Sequence, residues 1–377
     1  MESLAINYIM YGTGRTGGTR VLFNFMNELV KRGHEVSLTA MYYDNWFPLS
    51  KDIKIISKNH RLSQYLINGK LRLFKNNEIL YQVQQLKKLY DIAPKADINV
   101  ATFSPTAYVA SWKSIDGAVP FYHMQHLETI IFANPLMKKF ILDTYFLPIY
   151  KVANSKWLRQ KLFLITGKEF PILNPAIEHD IFYPRSRHQQ DDKSIHIVAL
   201  GKGGWKNAIG IYNAVNLVRS KLPDKKIILH FFGQRPIKSI KFDNRETIFH
   251  KNLSDDQLAE LYSNSDIQVT FSTAESFPLP PLEAMACGSA VITTPYGTED
   301  YAIDGYNTLI VEPNNIEMLA NKIRLLIEDE ELRQKLIENG FKTASKFNYS
   351  KQTKILIEQF KQALNQYQDN DVKNMLL

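Results

Sequence analysis

Residues 271–294 read FSTAESFPLPPLEAMACGSAVITT, which predicts a strand, a loop, a helix and a second strand in succession. Proline is favoured in the first turn of a helix, so Pro280 and Pro281 mark the helix N-terminus. The loop carries Glu275 and the helix carries Glu283, eight residues further on. Two acids at a helix N-terminus either complement its dipole or hold a ligand, and this pattern alone leaves both interpretations open.

The same alternation of short apolar strands and amphipathic helices extends along the chain in both directions. The predicted strands cover residues 4–11, 35–42, 97–103, 119–123, 150–154, 194–201, 226–232, 266–271, 290–293 and 309–311. The predicted helices cover residues 18–32, 207–221, 254–263, 279–287, 316–328, 331–346 and 350–367. This order predicts an α/β fold with two parallel sheets. A polar, proline-containing stretch at residues 175–193 interrupts the alternation and marks the domain boundary.

The composition is that of a globular protein of about two domains. The chain has 377 residues, 45% of them hydrophobic and 22% charged, which excludes collagen-like and disordered classes. Cys287 is its one cysteine, so no internal disulfide forms, which fits a reducing compartment. The first residues lack the basic region of a signal peptide, and no apolar run is long enough to cross a bilayer. We therefore expect a cytoplasmic protein.

The net charge of +8 is unevenly distributed along the chain. Residues 51–90 hold nine basic and two acidic side chains, whereas residues 251–300 hold one basic and eight acidic ones. The basic segment is either a contact with an anionic membrane surface or lipid-linked acceptor, or a solvated insertion. Nucleic-acid binding is not expected, because no recognition motif accompanies the charge.

The glycines Gly12, Gly14 and Gly17 match the spacing of a dinucleotide fingerprint after a predicted strand. The acid that such a site needs on the second strand is replaced by Ala40. The favoured alternative is a phosphate or sugar contact through the amides of Gly17 and its neighbour Gly18, at a helix N-terminus. A third reading gives the glycines only a sharp turn to form.

Residues 271–294 resemble the segment typical of glycosyltransferase family four, retaining enzymes of the GT-B fold that carry E-x7-E in a sequence like EGFGLPPLEAMACGxPVI. Further matching pieces fall in the expected order, so the resemblance covers nearly the whole chain. They are residues 17–20 (GGTR), 32–36 (RGHEV), 121–128 (FYHMQHLE, a Q-x-x-E variant seen in rhamnosyl-type and related transferases), 152–158 (VANSKWL), 174–184 (NPAIEHDIFYP) and 297–305.

The resemblance implies two Rossmann-like domains whose parallel sheets face each other across a cleft. Residues 1–180 would bind the acceptor, residues 181–349 would bind the nucleotide-sugar donor, and a final helix within residues 350–377 would cross back to the first domain. The implied catalytic residues are Glu275, Lys202, Lys206 and His123. The implied donor-binding residues are Gly17, Gly18, Gly201, Gly233, Ser276, Phe277, Leu279 and Glu283. The implied acceptor-side residues are Arg20, Gln125 and His126, and which of His123, Gln125 and His126 faces the donor is left open.

The chain departs from the family pattern at two places. The second glycine of E-G-F-G is Pro278, which has no N–H to offer a phosphate or sugar hydroxyl. The pair that binds the diphosphate reads Lys202 and Lys206, in which lysine takes the place of the arginine. Lysine keeps the positive charge but loses the bidentate fork of arginine.

The implied reaction moves a sugar from a nucleotide-diphosphate donor to a glycan or lipid-linked acceptor, in synthesis of cell-surface polysaccharide or glycoconjugate. We expect neither a cofactor nor a metal, because the sequence has no zincin motif and no paired-cysteine zinc pattern. Peripheral association with the inner face of a membrane is a further expectation. Two other functions are considered, a catalytically silent GT-B subunit that binds glycans or a partner, and a nucleotide-sugar epimerase.

Overall fold

A computed structural model of the chain describes residues 3–59, 78–186, 194–243 and 245–369. These residues form two α/β units, Met1–Pro175 with Tyr349–Leu377 and Ala176–Asn348. Within the described ranges, no helix is long and apolar enough to cross a membrane.

The N-terminal unit is built on one six-stranded sheet in which every strand pair is parallel. Its strands are β1 (Ala5–Gly12), β2 (Glu35–Tyr42), β3 (Lys54–Asn59), β4 (Ile98–Ala101), β5 (Val119–Met124) and β6 (Tyr150–Ala153), in the order β3-β2-β1-β4-β5-β6. Its first five helices are α1 (Gly17–Lys31), α2 (Glu78–Ile92), α3 (Ser104–Lys113), α4 (Pro135–Thr144) and α5 (Lys156–Thr166). Short 3-10 turns lie at Ser114–Asp116 and Glu128–Ile130.

The C-terminal unit repeats this design with a second parallel sheet. Its strands are β7 (Ser194–Leu200), β8 (Lys226–Gly233), β9 (Thr247–Lys251), β10 (Ile267–Val269), β11 (Ala290–Thr293) and β12 (Leu309–Ile310), in the order β12-β11-β10-β7-β8-β9. Its helices are α6 (Ala208–Lys221), α7 (Asp255–Ser263), α8 (Leu279–Cys287), α9 (Ile316–Glu328) and α10 (Glu330–Ala344). A 3-10 turn, Gly204–Lys206, precedes α6. The predicted α/β fold with two parallel sheets is thus confirmed.

The last helix, α11 (Tyr349–Asp369), belongs to the N-terminal unit, as the resemblance implies. Phe360 packs edge-on against Phe121 of β5 with ring centroids 4.9 Å apart. At the start of the helix, Arg32 donates to the carbonyl oxygen of Ser350 over 2.8 Å. Buried aromatic contacts of this kind hold the chain end on the first sheet.

The division between the units falls after Pro175, five residues before the predicted position. The backbone N–H of Ile177 donates to the carbonyl oxygen of Phe347 over 3.2 Å, which ties this stretch to the C-terminal unit. The helices α2 to α5 and two strands, β3 and β9, are missing from the sequence prediction. The two missed strands share a position in their sheets. Both lie at the edge of their sheet, where half-exposed positions and charged residues weaken the apolar pattern.

Three histidines of the C-terminal sheet form a hydrogen-bonded ladder across β7, β8 and β9. His230 Nε2 lies 2.9 Å from His196 Nδ1, and His230 Nδ1 lies 2.9 Å from His250 Nε2. The central ring is buried, and the backbone of His196 is held by the carboxylate of Asp266. Burial, and then the neighbouring imidazoles, lower the pKa of His230 to about 3.

This ladder predicts that the C-terminal unit loses stability in mild acid. His230 has a lowered pKa in the folded state, so its contribution is fully present above the unfolded pKa of 6.5 and is lost as the pH falls. Between pH 6.5 and about 4.5 the loss amounts to about 2–3 kcal/mol. His230→Gln, which retains hydrogen-bonding groups but does not titrate, should flatten the dependence of the unfolding free energy on pH. Urea unfolding at a series of pH values gives the unfolding free energy of the wild type and of the His230→Gln variant. If the two free energies fall equally as the pH is lowered, the prediction is wrong.

Candidate active site

The loop between β10 and α8 carries the most informative residues of the sequence. Pro278 caps α8, and Leu279 opens the helix. Because residues 278, 280 and 281 are prolines, only Leu279 among residues 278–281 has a backbone N–H. The first turn of α8 therefore offers few backbone donors to a ligand, and other groups must supply the remaining contacts.

Gly297, which is not among the predicted site residues, packs closely against the backbone of this loop. Gly297 has φ +70°, and a Cβ placed on it would lie 2.6 Å from the backbone of Ser276. That is closer than any side chain tolerates, so residue 297 has to be glycine for the loop to take this path. Beside it, Tyr301 donates to the carbonyl oxygen of Pro278 over 2.9 Å and packs its ring against Phe277. Ser276 and Phe277, both predicted donor-binding residues, are accordingly buried.

The 3-10 turn after β7 directs Lys206 toward the same loop. Gly204 and Asn207 flank this lysine in left-handed conformations, with φ of +64° and +52°. Asn207 then caps α6 by accepting from the N–H of Gly210 over 3.1 Å. The N–H of Thr273 donates to the carbonyl oxygen of Trp205 over 2.8 Å, which joins the turn to the loop.

Lys206 and Glu275 form an ion pair in which Nζ donates to Oε1. Their side chains are only 19% and 9% exposed, so water screens the pair little. Both residues line a small cavity together with Ser272, whose Oγ is buried without a hydrogen-bond partner among the described residues. The ion pair and this hydroxyl thus place polar groups in a small cavity that is otherwise lined mostly by apolar side chains.

Lys202, the other predicted cation, lies apart from that pair. Its Nζ sits 5.3 Å from the ring centre of Trp205, and both side chains are exposed. A cation–π contact at an exposed position is worth about 0.5–1 kcal/mol. The tryptophan thus restrains the lysine at the rim of the turn, a contact that the sequence analysis did not predict.

Glu283 lies on α8, further along than the loop that carries Glu275. It is buried, and its Oε2 accepts from the hydroxyl of Tyr262 over 3.3 Å. Of the two acids of E-x7-E, Glu275 therefore pairs with the cation of Lys206, and Glu283 accepts a hydrogen bond from a tyrosine hydroxyl.

Gly201 and Gly233 meet at the carboxyl ends of β7 and β8. A Cβ on Gly233 would lie 3.3 Å from the carbonyl oxygen of Gly201, and one on Gly201 would lie 2.9 Å from the ring of Phe249. These distances explain on packing grounds why both residues are glycine. Their predicted contact with the donor stays a prediction.

In the N-terminal unit, Gly17 and Gly18 open α1 behind the cap residue Thr16. A Cβ on Gly18 would lie 3.1 Å from Oε1 of Gln125, so the glycine makes room for that side chain. Gln125 follows β5 directly, and its carbonyl oxygen accepts from Nδ2 of Asn154 over 2.8 Å. The structure thus brings together the predicted glycines and one predicted acceptor-side residue at the carboxyl edge of the first sheet.

The other predicted residues of this unit occupy different positions. His123 is fully buried in β5, its ring lies edge-on to Phe25, and neither ring nitrogen has a hydrogen-bond partner among the described residues. Burial lowers its pKa to about 4, so the imidazole is neutral at pH 7. Arg20 is buried on α1, and His126 is half-buried after Gln125.

Glu128, the acid of the Q-x-x-E motif, was not in the predicted site and anchors the loop that follows β5. Its Oε2 accepts from the N–H of Ser104, at the start of α3, over 2.6 Å. Its own N–H donates to the hydroxyl of Tyr145 over 3.1 Å. Burial raises the pKa of this carboxyl to about 8. Fixing both ends of the motif keeps Gln125 next to Gly18.

No group of three or more His, Cys, Asp or Glu side chains within the described ranges could hold a metal ion. Part of the basic segment, residues 60–77 with Lys70, Arg72 and Lys75, lies outside the described residues.

Comparison with known proteins finds similarity in the region that carries Lys206 and Glu275. Residues 185–343 match the model of Glycosyl transferases group 1. The chain is 31% identical to poly(glycerol-phosphate) alpha-glucosyltransferase of Bacillus subtilis, over 91% of the chain and 56% of that relative. It is 27% identical to N,N'-diacetylbacillosaminyl-diphospho-undecaprenol alpha-1,3-N-acetylgalactosaminyltransferase of Campylobacter jejuni, over 48% of the chain and 47% of that relative. The chain thus spans about half the length of these curated relatives.

The fold of this chain is similar to the solved structure of HepE from Anabaena in complex with UDP-glucose, with a TM-score of 0.70. The two chains are 14% identical, and the match covers 95% of this chain and 100% of HepE. At this identity the similarity concerns the fold alone. The chain therefore has the GT-B fold, with two Rossmann-like α/β units. Residues 185–343, within the C-terminal unit, are similar to Glycosyl transferases group 1.

Proposed function

We propose that this protein transfers a sugar from a nucleotide-diphosphate sugar to a glycan or lipid-linked acceptor, with retention at the anomeric carbon and without a metal. The observation that carries the proposal is the ion pair of Lys206 and Glu275 beside the hydroxyl of Ser272, which has no hydrogen-bond partner in the described part of the chain. All three residues lie in the region that matches the model of Glycosyl transferases group 1. A cation, an anion and a hydroxyl in one pocket suit the diphosphate and the sugar hydroxyls of such a donor.

Lys206 serves the departure of the nucleoside diphosphate. Negative charge grows on the β-phosphate as its bond to the sugar breaks, and a fixed cation stabilises that charge without reorganisation. The turn of Gly204–Lys206 fixes the backbone of the lysine, and Glu275 holds its side chain before the donor arrives. Lys202 is a second, more exposed cation for the same diphosphate.

Glu275 would hold sugar hydroxyls, and Glu283 would hold the ribose hydroxyls. A carboxylate close to the departing diphosphate would repel it and raise the energy of the transition state. Lys206 offsets this repulsion because its positive charge lies next to Glu275. Neither acid is assigned as the nucleophile. The acceptor would attack the face that the diphosphate leaves, and the donor phosphate would take the acceptor proton.

The acceptor belongs to the N-terminal unit in this proposal. Gln125, held beside Gly18 and fixed by the anchored Glu128, is the best-positioned contact. The two relatives are named for a poly(glycerol-phosphate) and a diphospho-undecaprenol acceptor. Both names describe phosphate-bearing acceptors, so we propose an acceptor of that class in cell-surface glycan synthesis.

A panel of nucleotide-diphosphate sugars tests the proposal. We expect one donor to raise the melting temperature, because a ligand that binds only the folded state stabilises it. With that donor alone, the protein should release nucleoside diphosphate slowly at most, and an added phosphate-bearing acceptor should accelerate the release. An epimerase would convert the sugar of the donor without an acceptor, and a silent GT-B subunit would neither convert nor transfer it. Either result would replace the proposed function.

A further inference from the structure

Trp205 exposes its indole in the turn between the two lysines proposed for the diphosphate. The side chain is 43% exposed, although Nζ of Lys202 lies 5.3 Å from its ring centre. The other tryptophans are more enclosed, since Trp46 and Trp112 are half-buried and Trp157 is buried. Tryptophan is enriched where proteins bind, because it combines a large apolar ring with a polar N–H group. What this indole can do depends on its surroundings in the site.

The backbone of Trp205 is fixed against the loop that carries Glu275. Its carbonyl oxygen accepts from the N–H of Thr273 over 2.8 Å, and Thr273 lies two residues before Glu275. The next residue, Lys206, forms the ion pair with Glu275. A hydrogen bond at Trp205 and an ion pair at its neighbour thus hold this part of the turn beside the candidate site.

The turn also has open space within two residues of Trp205. A Cβ on Gly203 would meet no heavy atom of the described residues within 4 Å, and its φ of −77° is one that any residue adopts. Neither packing nor backbone conformation therefore requires glycine there, unlike at Gly204, whose φ is +64°. A missing side chain at such a position lets a ligand approach the backbone closely.

Trp205 lies outside the small cavity of the candidate site. Lys206, Glu275 and Ser272 line that cavity, whereas Trp205 is not among its lining residues in the described part of the chain. In the proposed reaction, the acceptor attacks the face that the diphosphate leaves and passes its proton to the donor phosphate. The accepting hydroxyl must then come within about 3 Å of the phosphate that Lys206 holds. The unit that carries this hydroxyl therefore comes close to Trp205, the residue before Lys206.

We infer that the indole of Trp205 forms a subsite for the acceptor, against which the sugar or glycerol unit with the attacking hydroxyl packs. Such units combine hydroxyls with exposed C–H groups. The indole ring offers an apolar surface to the C–H groups, and its Nε1 has a hydrogen to donate to a hydroxyl. This contact adds to the one proposed for Gln125. The inference rests on the proposed function, because it needs a bound acceptor.

Acrylamide quenching of the fluorescence of Trp205 tests this inference without turnover. The signal of this residue is the difference between the wild type and Trp205→Phe. Quenching should persist when the nucleoside diphosphate of the selected donor is bound, because the nucleotide leaves the indole open. It should fall when poly(glycerol phosphate) or, as a sugar phosphate, glucose 6-phosphate is added to that complex. Shielding by the nucleotide alone, or by neither added probe, would overturn the inference.

Initial-rate kinetics give a second test. Trp205→Ala should raise the KM of the shielding probe at least about tenfold and change kcat little, because the lost contact is equally present before and during the reaction. Trp205→Phe keeps an aromatic ring and should recover most of this affinity. The matched control, Tyr306→Ala, removes another exposed aromatic side chain of the same unit and should leave KM unchanged.

Release of nucleoside diphosphate without an acceptor separates the inference from the proposed function. Trp205→Ala should bind the donor and release the nucleotide like the wild type, because the indole does not hold the donor. If the wild type neither binds nor cleaves any donor, the proposed function is wrong. If the wild type transfers the sugar and Trp205→Ala has the same acceptor KM, only the inference is wrong. Weaker donor binding by Trp205→Ala would also overturn it, since the indole would then contact the donor.

Discussion

Lys206→Ala is expected to lower kcat/KM about 30- to 1,000-fold, the range typical of losing one group that stabilises developing charge. The lysine is largely buried and paired with Glu275, so its field at a bound diphosphate is only weakly screened by water. The loss should appear mainly in kcat, because charge on the leaving group grows only as the bond to the sugar breaks. Initial-rate kinetics with varied donor concentration measure both parameters.

Two further variants separate this role from a structural one. Lys206→Arg keeps the charge and should retain more activity than Lys206→Ala. Its activity should still be below that of the wild type, because the site is built around a compact ammonium group and not a planar guanidinium. Lys241→Ala removes an exposed lysine of the same unit and should leave the kinetics unchanged. Full activity in a stably folded Lys206→Ala protein would leave the ion pair with only a structural role.

The architecture could be predicted from the sequence because its signal is local. Buried parallel strands such as β8 are mostly apolar, and α1 begins at glycine residues and ends before Gly33. Short edge strands such as β9 escaped the prediction because they lie half in solvent, where neither periodicity nor propensity distinguishes them from loops.

The candidate site was predictable only in part. The spacing of Glu275 and Glu283 placed both acids in one strand–loop–helix segment, but spacing alone does not show which acid forms an ion pair. That depends on Lys206, which is 69 residues away in sequence from Glu275. Ser272 and Gly297 were missed for a similar reason. Serine and glycine are common in loops, and their importance lies in a buried hydroxyl and a close backbone approach that only the folded chain creates.

Glu275→Gln should reduce kcat by about 100-fold or more, whereas Glu283→Gln should act chiefly on donor binding. The amide of the Glu275 variant is neutral, so it no longer holds Lys206 by an ion pair and accepts sugar hydroxyl hydrogen bonds more weakly. Glu283 would hold the ribose hydroxyls, which lie away from the bond that breaks. Its replacement should therefore raise the dissociation constant of the nucleoside diphosphate and change kcat less. Calorimetric titration with that nucleotide gives the binding constants.

The pair of Lys206 and Glu275 also predicts non-additive effects. If the two side chains act as a unit, the double variant Lys206→Ala, Glu275→Gln should be little worse than the more damaged single variant, because either change already breaks the pair. Residues that act independently on phosphate and sugar would instead give a double variant whose loss is the product of the two single losses. A multiplicative loss, or wild-type turnover in Glu275→Gln, would show that the ion pair is not part of the catalytic arrangement, even if both residues line the donor pocket.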